Sequence, residues 1–148
     1  MKLSKALIEK AEGVKRFTSI ADRVCDISIY GKDKFPDENA ACLFQLFEME
    51  MEKQYNLECR INKTYYEVKL YGMSLADAIS RLECLEIKID FYRTQKYLNN
   101  FRAGGELRKN FERTVYANEL QEIINKLSRE YEELDAKIQR LKQTADLM

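Results

Sequence analysis

Glu48 and Glu52 stand four residues apart in the run EMEMEK (48–53), a spacing that puts two carboxylates on one face of a helix. Two such helices facing each other can hold a pair of metal ions. In helical bundles, however, that site also draws on Glu-x-x-His, and this chain has no histidine at all. Cys25, Cys42, Cys59 and Cys84 are widely spaced and form no C-x-x-C pair. A zinc site would need all four to converge from separate elements. The simpler expectation is four buried free thiols, because Cys is among the residues most often found inside. Without histidine, a Ser or Cys nucleophile would depend on Lys or a carboxylate as its base. The chain has no G-x-S-x-G elbow, no G-x-x-x-x-G-K-[ST] loop and no G-x-G-x-x-G loop. Gly104-Gly105 therefore reads as a hinge. These absences predict a protein that is not an enzyme, with no catalytic, cofactor-binding or metal-ligating residues and no cofactor.

Three further stretches carry weaker signals. RKNFER (108–113) gathers Arg108, Lys109 and Arg113 around Phe111, a combination used by single-strand binders. Glu106 and Glu112 dilute it, and one aromatic ring makes a poor stacking platform, so no nucleic acid is expected as a partner. TYYEVKLY (64–71) is rich in tyrosine, which suits an interface as well as packing at the end of a helical bundle. NKT (62–64) has the spacing of a glycosylation acceptor, without a secretion signal to give it meaning. Lys plus Arg and Asp plus Glu number 25 each. The chain thus has no net charge with which to steer toward nucleic acid or an anionic membrane.

Those residues must be positioned by helices. At 148 residues with one Pro and five Gly, the chain reads as a single helical domain, 1–148, large enough to fold without disulfides or metal. A first helix is predicted over 2–30 through Leu3, Leu7, Val14, Phe17, Ala21 and Val24, weakened at Gly13 and stopped by Gly31. KDKFPD (32–37) is a loop whose Asp37 is placed to cap a second helix running to about 65. That helix has a broad apolar face through Leu43, Phe44, Phe47, Met51, Leu57 and Ile61, which implies cover on more than one side. Val68 and Leu70 alternate with charged residues before a Tyr-Gly turn, so a short strand is predicted at 67–71, with 107–115 as its possible partner strand. Ser74 and Asp77 form a capping-box-like start for a third helix. Its face carries Leu75, Ala78, Ile79, Leu82, Leu85, Ile89 and Tyr92.

The fourth helix, from about Asn118 to Ala145, has the clearest pattern. Leu120, Ile124, Leu127, Tyr131, Leu134, Ile138 and Leu141 follow alternating steps of four and three. Leu at d and mostly β-branched residues at a favour pairing with another helix. This stripe is the predicted interaction seam. The fold class expected is mainly α: four long antiparallel helices of bundle or coiled-coil type, each near 28 residues or about 42 Å. A two-stranded β element from 67–71 and 107–115 would complete it.

Several segments, in order, resemble a family of small, uncharacterised bacterial helical proteins labelled septicolysin-like. They are MKLSKALIEKA at the start, INKT (61–64), SLADAISRLECL (74–85), RTVYANELQ (113–121) and ELDAKIQRLKQTADL (133–147). The chain departs from that pattern at Leu82-Glu83, where the family usually reads Arg-Asp. It departs again at 142–147, where the family's Trp is missing. The resemblance implies no active site to carry over, but its label implies a membrane-active, pore-forming toxin.

Two expectations follow. The first is a cytoplasmic homo-oligomer with a structural or protein-interaction role, held by helix–helix packing. The opening segment lacks the apolar core of a signal peptide and no run of apolar residues could span a membrane. The second is the pore-forming toxin of the label, the one reading that calls for a membrane. Its amphipathic surface would be the second helix, whose Glu48, Glu50, Glu52 and Glu58 are ill suited to anionic lipid.

Overall fold

The computed structural model describes residues 1–31, 39–102 and 117–148, with side chains up to 98 and again from 118. Four helices dominate: α1 (Leu3–Tyr30), α2 (Ala40–Glu67), α3 (Leu75–Arg102) and α4 (Ala117–Thr144). Each has 28 residues. A short hairpin of β1 (Lys69–Leu70) and β2 (Met73–Ser74) separates α2 from α3. The mainly helical class with one small two-stranded sheet is as expected. The chain divides into two compact units, Met1–Val68 with Lys142–Met148, and Lys69–Leu141.

In the first unit α1 and α2 form an antiparallel pair. Lys10 meets Glu58, the Gln54 carboxamide donates to the Lys10 carbonyl, and Arg16 meets Glu50, so position falls along α2 as it rises along α1. Phe17 and Phe47 pack edge to face at 6.3 Å. Gly31 ends α1 at φ 70°, its amide bonded to the Ile27 carbonyl. The next cap is Asn39, whose side chain accepts from the Ala41 amide at 2.9 Å. This corrects the expectation of Asp37. The helix begins at Ala40, so its N-cap falls at Asn39, and Asn caps as well as Asp does. Asp37 itself lies outside the described residues.

A strap closes this unit. The Leu3 amide donates to the Ala145 carbonyl, the Leu147 amide to the Met1 carbonyl, and Lys2 forms an ion pair with Asp146 at 2.8 Å. Thr64, fully buried, donates its hydroxyl to the Arg60 carbonyl and accepts from the Met148 amide. The threonine of the NKT sequence is thus committed to the interior.

In the second unit, β1 pairs antiparallel with β2, Leu70 opposite Met73. Tyr71 and Gly72 form the two-residue turn with φ of 53° and 82°, the positive values a type I′ hairpin turn requires. The strand expected near 67–71 therefore finds its partner two residues on. The other expected strand, 107–115, lies outside the described residues. Ser74 opens α3 as a capping box: its hydroxyl accepts from the Asp77 amide at 3.0 Å, while the Asp77 carboxylate accepts from the Ser74 hydroxyl and amide. Lys96 hydrogen-bonds Gln121, and Leu85 shares a groove with Leu134. α3 and α4 therefore run antiparallel as well.

Candidate interaction surface

α3 presents two apolar lines. The inward one is built from Leu75, Ala78, Leu85 and Ile89, all buried, with Ile79, Leu82 and Tyr92 half-buried. This is the face expected from the sequence. The outward one runs through Ser80, Cys84, Ile87, Phe91, Thr94 and Leu98 in steps of 4, 3, 4, 3 and 4. Ile87 is 69% exposed, Phe91 55% and Leu98 38%. A single expected face leaves this second line out. Its signal was present in the spacing, once Ser80 and Thr94 are admitted as members.

The α4 stripe lies at two depths. Leu120, Ile124 and Ile138 are buried, while Leu127, Tyr131, Leu134 and Leu141 are half-buried. Leu127 and Tyr131 border two grooves beside α3. One groove is apolar, lined by Ile87, Phe91, Tyr92, Ile123 and Leu127 with Lys88, Lys126 and Glu130 at its edge. The other is polar, with Tyr131 among Glu86, Asp90, Arg93 and Glu132. Tyr131 opens to this groove, so its hydroxyl can reach water. At the hairpin, Lys137 sits 4.5 Å over the ring of exposed Tyr71.

Among the described residues α2 is covered on one side, so cover on a second side, expected from the sequence, would have to come from elsewhere. Leu43, Ile61 and Thr64 are buried, whereas Phe44, Met51 and Tyr55 are exposed in a line. The four cysteines are also exposed, which corrects the expectation of buried thiols. Helical geometry explains it. Cys42 and Cys84 each precede a core leucine, Leu43 and Leu85, and one residue turns the helix by about 100°, off the buried stripe.

Titration behaviour follows local pairing. The Glu50 carboxylate is held below its ordinary range by hydrogen bonds from Lys53 and Arg16, and Asp146 by Lys2. Burial raises the Tyr65 hydroxyl, and a hydrogen bond with Cys59 raises Tyr55. Among the described residues no three acidic or cysteine side chains converge to hold a metal. Glu48 and Glu52 lie on the open side of α2. RKNFER (108–113) lies outside the described residues.

Comparison with known proteins adds two matches. A family model described as a family of unknown function, DUF6847, matches residues 10–147. A crystal structure of a functionally unknown conserved protein from Corynebacterium diphtheriae is similar over 100% of this chain and 99% of its own, at 26% identity and a TM-score of 0.81. No curated protein matches. These matches overturn the septicolysin-like resemblance, since neither the family nor the solved neighbour carries that label. The motifs behind it are helical heptads, which unrelated helical chains share. The toxin reading rested on that label alone and falls with it. No helix among the described residues is long and apolar enough to cross a membrane.

Proposed function

The chain belongs to DUF6847, a family of unknown function, and from its surface we propose that it acts through protein–protein contact, as a homo-oligomer joined by helix packing and without catalysis. One observation carries this reading: large apolar side chains stand exposed at helical spacing among the described residues. On α3 they are Ile87, Phe91 and Leu98, and on α2 Phe44, Met51 and Tyr55. Scattered apolar residues on a surface are ordinary, but aligned ones mark association. The half-buried members of the α4 seam, Leu127, Tyr131, Leu134 and Leu141, add edges that a neighbouring helix could finish covering. Four exposed free thiols fit a reducing compartment, which supports a cytoplasmic place.

Sedimentation velocity across a wide dilution range tests the reading. The expected result is a mass of at least twice 17.5 kDa that falls on dilution. A single-chain mass at every concentration would overturn it.

A further inference from the structure

We propose that α3 pairs in parallel with α3 of a second copy, along Ser80, Cys84, Ile87, Phe91, Thr94 and Leu98, about a two-fold axis. The proposal rests on the homo-oligomer reading and deepens it by naming the surface and the orientation. The steps of 4, 3, 4, 3 and 4 are the a/d alternation of a two-stranded coiled coil. The line lies on the side of α3 away from buried Leu75, Ala78, Leu85 and Ile89, so pairing leaves that buried face intact.

Two members are polar, and both can be covered without orphaning a donor. The Ser80 hydroxyl donates to the Ala76 carbonyl at 3.2 Å and the Thr94 hydroxyl to the Asp90 carbonyl at 2.9 Å. A buried hydroxyl with no acceptor would weaken the pairing, a penalty these two escape.

Charge selects the orientation. With Cys84, Phe91 and Leu98 at a and Ser80, Ile87 and Thr94 at d, Glu83 and Asp90 fall at g, and Arg81, Lys88 and Gln95 at e. In a parallel pair a g residue meets the partner's e residue five positions on. Glu83 then meets Lys88 of the partner subunit, twice by symmetry, and Asp90 meets Gln95 of the partner subunit. An antiparallel pair would instead set g against g and e against e, acid on acid and base on base. Glu83 and Lys88 are exposed, and among the described residues neither is in an ion pair within its own chain. A two-fold pairing is also the commonest closed symmetry for a soluble homo-oligomer.

Cys84 provides the direct test, because a parallel two-fold pairing sets it against Cys84 of the partner subunit. In an antiparallel pairing centred between Ile87 and Phe91 the two thiols would be roughly 15 Å apart along the axis. The experiment uses the full chain with Cys25, Cys42 and Cys59 changed to Ser, treated with a short bismaleimide. The expected result is a covalent dimer, lost on Cys84→Ser. In parallel, Glu83→Lys should weaken the dimer at least several-fold, and the swap E83K/K88E should restore it. Phe91→Glu should yield a monomer of unchanged helicity by circular dichroism. If the parent protein is a monomer throughout, both the reading and the proposal fail. If it is an oligomer, but Cys84 does not link and Glu83→Lys leaves the affinity unchanged, the proposal fails and the reading stands.

Discussion

Gly13 is buried on α1 because the Gln54 carboxamide of α2 lies over it. A methyl group at that position would fall inside contact distance of the Gln54 side-chain oxygen, at the same place where the amide donates to the Lys10 carbonyl at 3.1 Å. Gly13→Ala therefore sets two effects of similar size against each other. The helix gains about 1 kcal/mol from the better former, and the displaced carboxamide forfeits a hydrogen bond worth about 0.5–1.5 kcal/mol. We expect Gly13→Ala alone to change stability by less than about 1 kcal/mol. In a Gln54→Ala background, where nothing is displaced, it should stabilise by about 1 kcal/mol. Urea denaturation of the four proteins measures the coupling, and equal effects in both backgrounds would show that Gln54 does not rest on Gly13. The sequence marks Gly13 only as a helix weakness, because its partner is forty-one positions away and no local pattern encodes that approach. Cysteine burial failed differently. A residue-type tendency was set against helical phase at Cys42 and Cys84, and phase decided.

At the scale of elements, the α1–α2 hairpin is pinned across its middle by Glu50, which accepts from Lys53 at 2.8 Å and Arg16 at 3.0 Å. Those bonds hold its pKa in the folded chain below the unfolded value. The stabilisation is therefore complete above the ordinary Glu range, about pH 4.3, and is lost as pH falls through the depressed folded value. Glu50→Gln should be less stable than the parent near neutrality, and the gap should close below about pH 4. Denaturant midpoints at several pH values would check this; a gap of constant size would exclude Glu50 as the acid-sensitive group. The elements were the most legible level. Boundaries of α1, the Ser74–Asp77 box and the inward face of α3 all follow from period and cap chemistry, which are local. The second strand was not legible, because a two-residue turn with tyrosine in the left-handed region departs from the Asn-Gly or Asp-Gly sequence that usually announces it. Part of the strain at Tyr71, about 1 kcal/mol, is offset by Lys137 over its ring.

For the whole molecule, the equal count of 25 basic and 25 acidic residues means that no net repulsion opposes self-association. The exposed lines on α2 and α3 supply apolar area to drive it, at roughly 25 cal/mol per Å² removed from water. If copies associate, unfolding releases two chains from one particle and the melting temperature must depend on concentration. A tenfold rise contributes about 1.4 kcal/mol per dimer at room temperature. Spread over the unfolding entropy of two chains of this length, that is a shift of about 2 °C. The parent protein should therefore melt about 4 °C higher across a hundredfold increase in concentration. Phe91→Glu should remove most of that dependence while leaving the dilute-limit melting temperature nearly unchanged, because its side chain lies outside the chain's own core. Scanning calorimetry or near-ultraviolet dichroism over that range distinguishes the cases. A flat parent curve is what a monomer gives, and it would mean that the outward lines remain in water. A sloped curve that Phe91→Glu does not flatten would place the contact on α2 or at the half-buried edge of α4, around Leu127 and Leu134, and not on the outward line of α3.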